Sequence, residues 1–296
     1  MLDKMRQVDL NLPLINVITP VLNSPDLLIQ TMQSVVFQIG VNEKFQIRHI
    51  IVDGNSSDMT LLVVKEFIER NAQVGIDYVL ISERDTGMYD ALAKGLARIQ
   101  PGIVCYQNAG DLYHQGAFSV VSDLCLHVES GWFYGRKVMF SENGTCFGDH
   151  VPLPYQKHLA LNGFYGYRKH SLGFFQQESL FFTHDLLDSF DLEIFRRFKL
   201  AGDFYLFLHL IKKCQGIFVN ALLSGHRIHL GQLSENISGY RAEMQPHIQS
   251  TSVINSILFL KEKILYKLPS TIRLLKHKKS YSRDLATGNW ILTLGK

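Results

Sequence analysis

Cysteine is scarce and unpatterned: Cys105, Cys125, Cys146 and Cys214 are the only four in 296 residues, and none stands in a C-x-x-C pair. That excludes a zinc knuckle or a disulfide framework and makes a reducing compartment the expectation. No run of about 18 apolar residues occurs, so no membrane-spanning helix is expected. The opening segment carries Asp3, Asp9 and Pro13, which interrupt any signal-peptide core. The usual phosphate cradles are also missing. After the first strand pattern stands "TPVLNSPD" rather than G-x-G-x-x-G, and there is no G-x-x-x-x-G-K-[ST] loop. G-x-S-x-G is absent, which weakens a hydrolase of the α/β type. Neither an internal repeat nor a low-complexity linker divides the chain.

What is present is an ordinary globular composition, with 46% hydrophobic and 19% charged residues. The net charge of +3 is unevenly spread: residues 241–296 hold ten Lys/Arg against three acids, a net of +7, which leaves −4 for the first 240. The basic character belongs to the tail, and nucleic acid is not an expected partner.

The first half alternates strand and helix patterns. "LINVIT" (14–19), "RHIIV" (48–52), "DYVLI" (77–81) and "IVCY" (103–106) are apolar runs of strand length. A helix is expected after "DGNSSD", capped by Ser56 or Ser57, with Leu61, Val64, Phe67 and Ile68 on one face. Asp58 there reads as a turn or cap acid. A second helix follows "RDTG", carrying Leu92, Leu96 and Ile99 at helical spacing. Such alternation implies βαβ units and a mainly parallel sheet, with ligands outside the carboxyl ends of the strands. Later come a hairpin, "GWFYGRKVMFSENGTCFGD", turning at "ENG", a strand at "GFFQQESLFF", and a helix at 200–213.

Five acids follow those strand ends: Asp53, Glu83, Asp85, Asp90 and Asp111. An acidic rim repels a bare anion, so it would hold a phosphate through a divalent cation. "IVCYQNAGDLYH" delivers Asp111 alone, with no second acid two residues before it.

Taken together, "INVITPVLN", "DGNSSDMT", "SERDTGMYDALAKGL" and "QNAGD" resemble glycosyltransferase family 2, in particular the bacterial branch that builds surface polysaccharides. The resemblance spans about residues 13 to 235. It implies a GT-A fold: α/β, a mainly parallel central sheet flanked by helices, with a C-terminal helical extension. The implied division is a catalytic domain over 1–240 and a basic amphipathic tail over 241–296. By the same resemblance, Thr19, Pro20 and Asp53 would contact the nucleoside. Asp85, Asp90, Lys94 and Asn108 would line the nucleotide-sugar pocket, and Asp111 would bind Mg²⁺ or Mn²⁺. "FKLAGDFYLFLHLI" resembles the helix that presents the catalytic base, here Asp203, and Gln177 would lie near the acceptor. "HLGQLSEN" resembles the loop that closes over the donor.

The activity so implied is inverting hexosyl transfer from a UDP- or GDP-sugar to a glycan or lipid-linked acceptor. A noncatalytic protein on the same fold and a nucleotidyltransferase are the alternatives. Two departures, Ala93 for the branch's usual Asn and Gln176–Gln177 for its His-Gln pair, bear on substrate contacts. The absence of Q-x-x-R-W argues against a processive synthase. His226 and His229 in "HRIH" read first as loop histidines, with a metal or phosphate ligand the second reading. With Asp111 alone, metal would bind measurably only when nucleotide is present. Residues 253–279 repeat apolar positions at three and four, broken by Pro269 and decorated with lysines. Such a helix lies on an anionic membrane surface or packs on the domain with a solvated basic face. Trp290 and Ile291 favour membrane or partner contact. The expected location is cytoplasmic, peripheral on the inner face of the membrane.

Overall fold

The computed structural model describes residues 12–168 and 170–295, so Asp3, Asp9 and the start of the 1–240 division lie outside the described residues. The described chain begins as three βα units and a fourth strand. Strand β1 (Leu14–Val21), helix α1 (Pro25–Val36), β2 (Gln46–Asp53), α2 (Thr60–Arg70), β3 (Asp77–Ser82), α3 (Met88–Leu96) and β4 (Ile103–Tyr106) follow one another. β1 pairs in parallel with both β2 and β4, and β2 pairs in parallel with β3. The local order is thus 3-2-1-4, and the crossover reverses direction between β1 and β4. Crevices open at such reversals, outside the carboxyl ends of the strands.

The second half completes the sheet with mixed pairing. It contains β5 (Leu112–Tyr113), α4 (Ala117–Cys125), β6 (Trp132–Ser141), β7 (Cys146–His150), α5 (Lys157–Leu161), β8 (Leu180–Thr183), α6 (Leu192–Phe195), α7 (Gly202–Lys213), β9 (Ile217–Ile228) and α8 (Ile237–Met244). β8 runs antiparallel between β4 and β6, while β6 and β9 lie parallel over their lengths. Of the expected hairpin, β6 and β7 form as read, with Gly144 in the turn at φ +84°.

Alternation along β1 sends Ile15 and Val17 to one face, with Phe45 and Phe118, and Ile18 to the other, with Tyr89, Trp132 and Phe207. On that second face Phe175 stacks on Phe207 at 4.2 Å between centroids. This insertion explains the first difference from expectation. "GFFQQESLFF" is a strand only from Leu180. Before it, Gln177, Glu178 and Ser179 form a 3₁₀ turn in which all three are buried.

Two smaller expectations also change. Helix α2 starts at Thr60, whose N–H donates to the Asp58 carboxylate at 2.9 Å, so neither Ser56 nor Ser57 caps it. The tail forms α9 (Val253–Tyr266) and α10 (Ser270–Leu274), broken at Pro269, and then adds β10 (Lys279–Arg283) and β11 (Trp290–Leu294). β10 pairs in parallel with β9 and extends the central sheet. Trp290 stacks on the buried Tyr281 at 5.2 Å, so it packs on the domain. Among the described residues, no helix is long and apolar enough to cross a membrane.

Candidate active site

The crevice predicted by the strand order is a cavity of about 700 Å³, a size suited to a small-molecule substrate. Its floor is the segment after β4. Gly110, at φ +106°, makes a turn that disfavours any residue with a side chain. Thr31 of α1 fixes that turn: its hydroxyl accepts from Gly110 N–H at 2.8 Å and donates to the Asp111 carbonyl at 2.8 Å. The Asp111 carboxylate then receives the Arg227 N–H at 2.8 Å from β9.

Two residues join Asp111 there. His226 Nδ1 lies 3.2 Å from Asp111 Oδ1 and 3.2 Å from Glu178 Oε1. It makes a well-formed hydrogen bond with neither. Glu178 uses its other oxygen to take a 2.8 Å hydrogen bond from the buried Lys137. Burial lifts Asp111 above the usual carboxylate range despite His226 beside it. Burial presses the same way on Glu178, but Lys137 and His226 outweigh it and leave Glu178 below that range. For His226, burial disfavours the charge, yet the two carboxylates win and raise it above its ordinary value. One nitrogen and two carboxylates converge within 4.8 Å, a donor set that fits a divalent cation. Neighbouring amide oxygens of Asn108, Gln176 and Gln177, all lining the cavity, have no protein partner. Buried acceptors left open like this await a donor.

Asp203 lines the same cavity from the first turn of α7. A side chain on Gly202 would drive into the Tyr89 ring, so glycine lets Tyr89 approach the helix. Tyr240 of α8 donates to Asp203 Oδ1 at 2.9 Å, and Tyr89 OH lies 3.3 Å from the same atom. Burial drives the Asp203 carboxyl up to about 7, against the Tyr240 and Phe204 N–H hydrogen bonds that lower it. A carboxyl poised near neutrality is suited to accept a proton.

Of the residues expected from the sequence, Asn108, Asp111, Gln177 and Asp203 line this cavity. The others serve its rim or frame. Thr19 is fully buried and bonded to His49 Nε2 at 2.9 Å, and Pro20 lies inside β1 opposite Val52. Asp53 accepts from Ser56 N–H at 3.1 Å and Ser82 Oγ at 2.7 Å. Asp85 accepts from Gly87 N–H at 2.9 Å and sits against Gly54, next to Leu22 on the cavity edge. Asp90 is buried, takes the Thr86 N–H, and pairs with Arg196 at 2.6 Å. Lys94 bonds the Arg84 carbonyl at 2.7 Å and Glu83 at 3.2 Å. Of the five strand-end acids, only Asp111 lines this cavity, and the other four bond to backbone amides or side chains outside its lining. Sequence reading missed Glu178, Lys137, Tyr89 and Tyr240, and ranked His226 as a loop residue. The unbroken polar run "QQES" before an apolar strand was the one available signal.

A family model described as glycosyl transferase family 2 matches residues 16–143, the part that builds β1 to β4 and the Asp111 turn. The match covers under half of the chain, and over residues 16–143 the sequence is similar to that family. No curated protein matches the sequence. Among solved structures, S. aureus TarS superposes with a TM-score of 0.53 at 14% identity, covering 84% of this chain and 42% of that one. The 1–349 piece of TarS in complex with UDP-GlcNAc gives 0.53 at 13%, with 89% and 70% covered. The mannosyltransferase PcManGT from Pyrobaculum calidifontis, in complex with GDP-Man and Mn²⁺, gives 0.54 at 15%, with 90% and 73% covered. This chain thus spans less than half of the longer TarS chain, and at such identities the likeness establishes the fold. That fold is GT-A, with a mixed central sheet.

Proposed function

We propose that this family 2 domain transfers a hexose from a nucleoside-diphosphate sugar to a hydroxyl of a glycan or lipid-linked acceptor, with inversion, in polysaccharide synthesis. The observation that carries the proposal is the sharing of one cavity by two kinds of group. Asp203, with a carboxyl near neutrality, lines the same cavity as the Asp111–Glu178–His226 cluster. UDP-GlcNAc and GDP-Man in the structural neighbours supply the donor candidates.

An acceptor hydroxyl is a poor nucleophile, and Asp203 takes its proton as the oxygen attacks the anomeric carbon. The hydroxyl donors Tyr240 and Tyr89 hold the carboxylate in place for that task. The amide oxygens of Asn108 and Gln177 receive sugar hydroxyls, Asn108 on the donor side and Gln177 on the acceptor side. Asp111, Glu178 and His226 would hold Mg²⁺ or Mn²⁺, whose chemistry there is neutralisation of the charge that develops on the leaving diphosphate. His229 and loop residues 231–234, which line the cavity, would exclude water over the donor. A single displacement inverts the anomeric configuration.

The test is a donor panel of UDP- and GDP-sugars with Mn²⁺, read by release of nucleoside diphosphate and the anomeric form of the product. Turnover that is lost in Asp203→Asn and Asp111→Ala is expected. Donor binding without turnover, or a product that retains the donor's configuration, overturns the proposal. Release of pyrophosphate would mark a nucleotidyltransferase instead.

A further inference from the structure

Helix α9 has two apolar faces, and only one of them is used. On the inner face Phe259 stacks on Phe164 at 4.4 Å, and Glu262, the helix's sole acid, is buried. The outer face carries Val253, Ile257, Leu260 and Ile264, spaced four, three and four, with Ile254 beside them. These five aliphatic side chains are 58% to 77% exposed. Lys261 and Lys267, both exposed, flank this row. Past the Pro269 break, Leu275 is 84% exposed next to Lys276 and Lys278. Leaving such a row in water forgoes the favourable burial of every member.

We infer that the outer face of α9 is the surface by which this protein docks on an anionic lipid bilayer. Two arguments favour a bilayer over a second copy of the chain. The first is charge: Lys261 and Lys267 beside the row are exposed and the helix's sole acid, Glu262, is buried, so two copies meeting here would bring lysines together, whereas anionic headgroups complement them. The second is area. A helix of 14 residues is about 21 Å long and about 10 Å across, so one face offers on the order of 200 Å². A stable protein interface buries about 800 Å² on each partner. An aliphatic row a few ångströms deep, edged by lysines, instead matches the headgroup boundary of a bilayer. This inference does not rest on the transfer reaction, and it holds whichever donor the cavity takes.

The experiment is flotation of the full chain with vesicles of phosphatidylcholine alone and of phosphatidylcholine with phosphatidylglycerol. Binding to the anionic vesicles, weakened by salt, is expected. Ile257→Asp with Leu260→Asp lowers the partition coefficient at least about tenfold, while the melting temperature and donor binding hold, because both side chains are exposed. Lys261→Glu with Lys267→Glu lowers binding to anionic vesicles without altering the apolar row, so a folding defect in the first variant does not decide the matter. No binding by the natural chain, or equal binding by both double variants, overturns the inference. So does a self-associated species in solution that Ile257→Asp with Leu260→Asp dissociates, since the face then belongs to a second copy.

Discussion

Replacing Tyr240 with phenylalanine isolates the hydrogen bond that tunes the proposed base. Tyr240 donates to Asp203 Oδ1 at 2.9 Å, so it stabilises the charged carboxylate and holds its pKa down against burial. A hydrogen bond to a charged group is worth about 1.5 to 3 kcal/mol, and one pKa unit corresponds to about 1.4 kcal/mol. Tyr89 offers partial compensation, but its single proton is shared between Asp203 at 3.3 Å and the Leu200 carbonyl at 3.0 Å. The net expectation is a rise of about one unit above the present value near 7. The base acts when deprotonated, so activity is lost as pH falls, and Tyr240→Phe moves that loss to higher pH. Measured as kcat/KM for nucleoside diphosphate release between about pH 6 and 9, the acidic limb shifts up by about one unit while the alkaline plateau changes little. Near pH 6.5 the deficit is about tenfold. A limb that stays in place or moves down would refute the assignment of Tyr240 as the residue positioning the base. A full profile retained in Asp203→Asn would refute Asp203 as the base.

Four further outcomes follow from the same geometry. Asp203 binds its proton more tightly folded than unfolded, so its burden on stability is absent below about pH 4 and grows until about pH 7. Asp203→Asn should therefore melt progressively higher than the natural chain across that window, with about 4 kcal/mol as the ceiling, checked by thermal unfolding against pH. Glu178→Gln and His226→Asn should each weaken Mn²⁺ binding at least about tenfold in calorimetry without nucleotide. Equal affinity in both variants would remove those side chains from the cation site. Gly202→Ala should cost about 1 to 3 kcal/mol in denaturant unfolding, because the new methyl group meets the Tyr89 ring. Asp90→Asn should lower the melting temperature through loss of its pairing with Arg196, while KM for the donor changes little.

The metal expectation is where structure altered the chemistry most. A solitary Asp111 implied cation binding only with nucleotide present, whereas three converging ligand atoms favour binding to the chain alone. Glu178 hides in a segment that reads as strand. Its burial follows from Phe175 entering the aromatic core against Phe207, a long-range contact that no local pattern records. His226 looks like a loop residue because its neighbours are polar, yet it lies in β9 beside Met139 of β6, and that register aims it at Asp111.

What the sequence determined by itself was the alternation of strands and helices in the first half, the carboxyl-end crevice, the Asp111 turn and the helix that presents Asp203. Those features are local: hydrophobic period, a glycine at positive φ, and short loops that follow each strand. Tertiary structure decided which acid reaches the cavity. Asp53, Asp85 and Asp90 carry the same signal as Asp111, but they bond to backbone amides and Arg196 outside the cavity lining, whereas Asp111, held by the Arg227 N–H, lines it. It also decided which side of α9 is covered, because Phe164 and its neighbours pack on one apolar face and leave the other bare. A charge or an apolar stripe can be read along the chain, but whether it is satisfied depends on groups distant in sequence that only folding brings near.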